Sequence, residues 1–371
     1  MSRVRPFKIA RLSDLHLTGS DRDERSEPRL FGRLKGMNAA FRRLVASEPI
    51  QECGLVLVTG DVTDDGDYAC WEVFRDAIET AGLSDKVMVV PGNHDVCCLG
   101  IRSSMRRRSH WDEDLSKARK GLMACGQPIH FPWVAQPDPR VVIFGLNSNN
   151  MGNPTALSNA MGRLGYYQLV NLASRLHKHR TVPVKIVALH HSPNIPGPEV
   201  AGRRRQRRLT PLERYGHQIP EDQRHGLLLL CAAHRIRLVL HGHLHLAEDR
   251  RVAGVRIVGA PAATEPVVVA GHAGSYRFFV YSVYGEGGRI GRRVHAIAVW
   301  NGSGVRHHRL CQGAAHVFAL DAWHTPGHVN HHPHFSYQTW PGRGTGLRPV
   351  SDAIILPSRA GNGRAVSPPW F

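Results

Sequence analysis

Five short polar motifs punctuate this chain in a fixed order: Asp14-Leu15-His16, Gly60-Asp61, Gly92-Asn93-His94-Asp95, His190-His191 and Gly242-His243-Leu244-His245. Each directly follows a run of apolar residues of the kind that forms a buried strand. Carboxylates, an amide and imidazoles brought to successive strand ends can converge on one point, and the economical common use of that mixed set is to hold metal ions. In Asp14-Leu15-His16 and again in His243-Leu244-His245, the spacing i, i+2 would project both side chains to one side of an extended strand. Gly60 permits a sharp turn that leaves Asp61 at the carboxyl end of its strand, where a carboxylate could bridge two ions. Pro91-Gly92 set a tight turn, after which consecutive side chains fan out, so Asn93 could bind a metal while His94 faces a substrate. His190 and His191 offer one or two further imidazoles, and His241 reads as structural.

The elements that must position these residues are legible as apolar runs. Phe7–Leu12, Leu55–Val58, Val87–Val90, Val141–Leu146, Val184–Leu189 and Ile236–Leu240 are nearly continuous in Val, Ile and Leu, as strands buried on both faces should be. Helical spacing appears over Arg33–Ala46, Tyr68–Ala81 and Tyr166–Lys178, the first with Leu34, Met37, Phe41, Leu44 and Val45 on one face. Alternation of this kind predicts a layered α/β domain with a largely parallel or mixed sheet. After Leu246 the pattern changes to strands, Val255–Val258, Tyr276–Tyr284 and Val294–Trp300, joined by glycine-rich turns; these read as a second sheet that completes a sandwich. The expected organisation is one domain over 1–304 and a His-, Pro-, Gly- and Arg-rich tail over 305–371, poorly ordered by composition.

The 371 residues carry a formal net charge of +18, which favours encounter with an anionic partner or substrate such as a phosphate, a nucleic acid or an acidic lipid. Two basic segments, 102–120 and the run Arg-Arg-Arg-Gln-Arg-Arg at 203–208, follow motif-bearing strands and should border the site. The seven cysteines show no CxxC pair and no regular spacing, so neither a disulfide framework nor a zinc knuckle is signalled, and a reducing cytosol is the simplest fit. The longest apolar stretch, Gly226 to Ala233, falls far below the roughly 20 residues that span a bilayer. With no apolar signal segment before Phe7, the expectation is a soluble cytoplasmic protein.

Taken jointly, the motif set resembles that of the calcineurin-like metallophosphoesterases, D-x-H, G-D, G-N-H-[DE], H and G-H-x-H, over about Phe7 to at least Leu246. The resemblance implies an α/β sandwich of two sheets flanked by helices, around a centre of two divalent transition-metal ions, Mn, Fe or Zn. Carried over residue by residue, Asp14, His16 and His245 would hold one ion, Asn93, His243 and His190 the other, and Asp61 would bridge both. His190 is preferred to His191 because the first His of such a pair is the usual ligand in relatives. His94 resembles the family's catalytic histidine, and Asp64 the carboxylate that orients it. The implied chemistry is in-line attack on a phosphoester by a metal-bridging hydroxide, with His94 assisting the leaving group.

Within that family, Gly60-Asp61-Val62-Thr63-Asp64-Asp65-Gly66 and Gly-Asn-His-Asp depart from the protein Ser/Thr phosphatase pattern. The segments Leu12–Leu17, Gly60–Asp64 and Gly162–Leu169 look most like the class III cyclic-nucleotide phosphodiesterase branch, which makes a phosphodiesterase the leading expectation. A nuclease acting on DNA or RNA would suit the net charge and is the alternative; a non-catalytic scaffold of the same fold is the second. The partner expected is a phosphoester substrate, with nucleotides and nucleic acid among the candidates.

Overall fold

The computed structural model describes residues 5–26, 33–96, 111–149, 160–197, 199–200, 207–267 and 274–298. The expected tail, the Cys97-Cys98 pair, and residues 102–110 and 203–206 of the two basic segments lie outside the described residues. From the amino end the elements are β1 (Phe7–Leu12), α1 (Met37–Val45), α2 (Glu48–Gln51), β2 (Leu55–Thr59), α3 (Tyr68–Thr80), β3 (Val87–Val90), α4 (Asn93–Val96) and α5 (Trp111–Ala124). There follow β4 (Trp133–Asp138), β5 (Val141–Gly145), α6 (Tyr166–Lys178), β6 (Val184–Ala188), β7 (Glu199–Val200), β8 (Arg207–Arg208), α7 (Pro211–Gly216) and α8 (Glu221–Ala233). The chain continues through β9 (Leu238–His241), β10 (Asp249–Val252), β11 (Val255–Gly259), β12 (Ser275–Tyr284) and β13 (Arg289–Ala298).

The strands form two mixed sheets, in the orders β13-β12-β1-β2-β3 and β10-β11-β9-β6-β5-β4, with β7 and β8 in a separate two-stranded ribbon. The expected α/β two-sheet sandwich flanked by helices is present, but its strands are divided differently from the expectation. The parallel set is split, β1, β2 and β3 in one sheet and β5, β6, β9 and β11 in the other. The later strands make no sheet of their own. Strand β12 pairs antiparallel with the free side of β1, and β11 extends the second sheet beside β9. Burial explains this division, because Phe279, Tyr281 and Val283 of β12 join Ile9, Leu55 and Leu57 in the core against Ile143, Ile186 and Leu240 of the facing sheet.

Each sheet buries its other face under helices. Val56, Val58 and Val89 pack with Phe41 and Leu44 of α1, Trp71 and Phe74 of α3 and Leu122 of α5. Val142, Phe144 and Val187 pack with Leu172 and Leu176 of α6 and Leu227 and Cys231 of α8. The parallel strands therefore read as unbroken apolar runs because both their faces are covered. Helix α1 starts at Met37 rather than Arg33 because Gly36 takes a φ of 82° and turns the incoming chain; Leu34 is still buried, but from the loop. Helix α3 is capped by Asp67, whose side chain accepts from the Tyr68 amide. No helix among the described residues is long and apolar enough to cross a membrane.

Between the sheets lies the side chain of Arg11 of β1, whose exposure is 0%. Its guanidinium donates to the Val258 carbonyl of β11 at 2.9 Å and to the His241 carbonyl of β9, and its Nε reaches the Thr59 hydroxyl of β2. It ties the sheets at the end where the motifs emerge. Arg11→Met removes the side-chain donor to two buried carbonyls, of which His241 keeps the Ala260 amide at 3.0 Å, and is expected to lower the unfolding free energy by about 1–3 kcal/mol, read as a lower urea midpoint at unchanged slope.

Cys53, Cys70, Cys125 and Cys231 are free and buried. Burial pushes the thiols of Cys125 and Cys231 up to about 12, so little thiolate forms near neutrality. Iodoacetamide labelling with peptide mapping should leave these four unmodified in the native protein and modify all four in guanidinium.

Candidate metal centre

The polar motifs emerge together at the carboxyl ends of β1, β2, β3, β6 and β9, held by main-chain bonds that extend the sheets into the loops. The amides of Leu15 and His16 donate to the Asp61 carbonyl at 2.7 and 3.0 Å, and Asp14 donates to the Gly60 carbonyl at 3.0 Å. The residues are not extended, as the i, i+2 reading assumed. Asp14 (φ 53°), His16 (46°), Asp61 (51°), His243 (74°) and His245 (55°) are left-handed, five of seven such non-glycine residues described. Turns, rather than the strand pleat, aim these side chains. Glycines permit the close approach: a Cβ on Gly60 would collide with His190, on Gly92 with Asp61, and on Gly242 with Ser13 and Asp14.

Asp61 stands at the middle. Its Oδ1 accepts from the His94 amide at 2.9 Å, and its Oδ2 lies 3.2 Å from His190 Nε2 and 3.8 Å from His16 Nε2. On one side His16 Nε2 faces His245 Nε2 at 3.1 Å, with Asp14 Oδ1 3.6 Å from His245 Nε2. On the other, His190 Nε2 lies 3.0 Å from Asn93 Oδ1, and the ring of His243 is 5.1 Å from that of His190. Three buried groups have ligand atoms all within 4.8 Å of one another: Asp14, His16 and His245; His16, Asp61 and His94; and Asp61, His190 and His243. All seven residues expected as ligands are thus gathered, buried to within 5% exposure or less.

The donor set fits metal ions. His190 Nδ1 is 2.9 Å from the Thr59 carbonyl, which can only accept, so the ring proton sits on Nδ1 and Nε2 presents a lone pair. That lone pair meets oxygens of Asp61 and Asn93, three acceptors around one point that only a cation can reconcile. In the metal-free chain a second proton does so: burial pulls His190 down, but the Asp61 carboxylate outweighs it and raises the imidazole to about 9. Burial would raise Asp61 in turn, yet the His190 and His94 imidazoles hold it well below the usual range. Burial also holds His16 and His243 well below the usual imidazole value, in the neutral form that metals bind. Asp14 Oδ2, His16 Nδ1 and His243 Nε2 are buried without a hydrogen-bond partner.

His94 borders this cluster, its ring 4.6 Å from that of His16. Its Nδ1 donates to the main-chain carbonyl of Asp64 at 2.7 Å, so the ring's other nitrogen, Nε2, is the one not engaged by that carbonyl. Asp64 was expected to orient His94 through its carboxylate, but the bond that joins them ends on its backbone. The carboxylate points elsewhere, Oδ2 accepting from the Ser26 amide at 2.7 Å and Oδ1 lying 3.5 Å from His16 Nδ1. Asp95 is structural: Oδ1 takes the Thr63 amide and hydroxyl, and Oδ2 the Gly92 amide. His191 turns to Ser148 Oγ at 2.8 Å, and His241, buried on β9, belongs to none of the three groups.

Sequence reasoning missed a second layer. Arg25 and Glu265 meet His245, and His217 brings its ring within 5.0 Å of that of His243. No local pattern marks these three, which lie in loops and reach the site only through the fold.

The motif-bearing region matches the calcineurin-like phosphoesterase family model over residues 7–247, and the chain belongs to that family. Among solved structures it is similar to a dimetal phosphatase from Danio rerio, 14% identical over 79% of this chain and 97% of that one, with a TM-score of 0.50. It is also similar to a phosphopantetheinyl hydrolase from Mycobacterium tuberculosis, 13% identical over 70% of this chain and 92% of that one, with a TM-score of 0.41. No curated protein matches the sequence.

The glycine at the centre can be tested against one outside it. Gly60 and Gly82 both have positive φ, 93° and 65°, but only Gly60 has its missing Cβ blocked. Gly82→Ala should cost about 1 kcal/mol from backbone strain, and Gly60→Ala at least about 3 kcal/mol. Thermal unfolding of the two variants checks the difference.

Proposed function

We propose that this protein is a phosphoester hydrolase dependent on two divalent transition-metal ions, Mn, Fe or Zn, and that its substrates are phosphodiesters. The observation that carries the reading is the convergence of lone pairs from His190, Asp61 and Asn93, with the second cluster of Asp14, His16 and His245 alongside. Asp14, His16 and His245 would hold one ion and Asn93, His190 and His243 the other, with Asp61 shared. Ions bound there supply a water of lowered pKa and a clamp on the phosphate oxygens.

The chain's own groups supply the rest. His94 Nδ1 is committed to the Asp64 carbonyl, so Nε2 is the atom that carries a proton to the departing alkoxide. Asp64 thereby positions His94 through its backbone, while its carboxylate accepts from the Ser26 amide. The net charge of +18 favours encounter with an anionic substrate. The Leu12–Leu17 and Gly162–Leu169 segments support a place in the class III cyclic-nucleotide phosphodiesterase branch. Buried free cysteines suit a reducing, cytoplasmic setting.

Manganese-reconstituted protein should hydrolyse bis-p-nitrophenyl phosphate, and His94→Ala should lower kcat by about 10²- to 10⁴-fold while two ions per chain are retained. Equal activity of wild type and variant would remove His94 from the mechanism. Asp61→Asn should abolish activity and fail to retain two ions, measured by plasma mass spectrometry after gel filtration. A panel of cyclic nucleotides, phosphomonoesters and single-stranded DNA tests the substrate class; faster monoester turnover, or cleavage of DNA above all else, would replace the diesterase reading.

A further inference from the structure

The environment of His245 poses a conflict that one residue resolves. Its Nδ1 meets two groups with opposite demands, the guanidinium of Arg25 at 3.3 Å, which can only donate, and the carboxylate of Glu265 at 3.4 Å, which accepts. A neutral imidazole carries one ring proton. If Arg25 donates into Nδ1, the proton must sit on Nε2, the nitrogen that faces His16 and Asp14. If Nδ1 donates to Glu265, Nε2 is bare. The choice is between two tautomers of equal charge, and only the second leaves a lone pair for an ion.

We infer that Glu265 is a positioning residue for the metal centre: it selects the tautomer of His245 that binds metal and diverts Arg25 from the ring. Glu265 Oε2 also accepts from Arg25 Nη1 at 3.3 Å, so one carboxylate engages both competitors. The side chains of Arg25 and His245 are each 1% exposed and that of Glu265 12%, so water is a poor substitute partner. Carboxylates behind metal-bound imidazoles fix ring orientation in this way, and their removal typically costs 10- to 100-fold in metal affinity. Here the neighbouring guanidinium adds an active competitor. The consequence is that loss of Glu265 should do harm that loss of Arg25 partly reverses.

This inference rests on the two-ion reading, and a metal titration separates the two. The full chain, stripped with chelator, is titrated with Mn²⁺ by calorimetry, and the loaded protein is examined by electron paramagnetic resonance for the coupled two-manganese signal. Wild type should take two ions. Glu265→Ala should bind one of them about 10- to 100-fold more weakly, keep the other, and trade the coupled signal for that of an isolated ion. Arg25→Met should bind both within a few-fold of wild type, and Arg25→Met/Glu265→Ala should recover much of the lost affinity; circular dichroism verifies that each variant is folded. Because the double variant removes both members of the Arg25–Glu265 pair, it also covers a Glu265→Ala chain that fails to fold. Wild type that takes up no ions would overturn the two-ion reading itself. Two ions bound with unchanged affinity in Glu265→Ala would overturn the role of Glu265, and a double variant no tighter than Glu265→Ala would overturn that of Arg25.

Discussion

The arrangement around Asp61 depends on acceptors held together against their own preference. Asp61 Oδ2 and Asn93 Oδ1 lie 3.2 and 3.0 Å from His190 Nε2, and all three residues are buried. Such a cluster needs a proton or a metal ion at its centre, because buried lone pairs facing one another lose hydration and gain no bond. The rest of the centre follows from enforcing that approach. Gly60 must lack a side chain so that His190 can sit over it, and Gly92 so that Asp61 can. Asp95 clamps the Gly92 and Thr63 amides, fixing one loop against the other. Burial and the nearby Asp61 charge raise Asp95 to about 6, so the clamp is held at an electrostatic cost. Arg11, behind the cluster, fastens the strands of both sheets from which these loops spring.

The parts that sequence made legible were those whose signal is local. Apolar runs ending in polar motifs marked β1, β2, β3, β6 and β9 and the residues at their ends, and helical spacing marked α3 and α6 nearly to the residue. What was not legible depends on partners distant in the chain. The parallel strands are apolar on both faces, so nothing in their pattern tells which of two sheets a strand joins; β12 could be assigned to β1 only by seeing Phe279 and Tyr281 meet Ile9. Arg25 and Glu265 lie 240 residues apart and stand in ordinary loop sequence. Asp64 illustrates a third kind of gap, since the residue type matched a role while the geometry gave that role to its carbonyl.

The left-handed backbone at the centre joins these points. Asp and His at positive φ are strained by about 1–3 kcal/mol each where context over-determines them, and five such residues sit within one cluster. Glycine would relax the backbone at each position, and glycines do stand beside them at Gly60 and Gly242. The division is explained by function: where a side chain must point inward the chain keeps Asp or His and accepts the strain, and where a side chain would block another it uses Gly. Main-chain bonds such as Asp14 to Gly60 and Leu15 to Asp61 hold the turns in place. Strain of this kind cannot relax by small shifts, because each turn is braced by its neighbour's carbonyl. The candidate ligand atoms are therefore aimed by backbone turns that main-chain bonds hold in place.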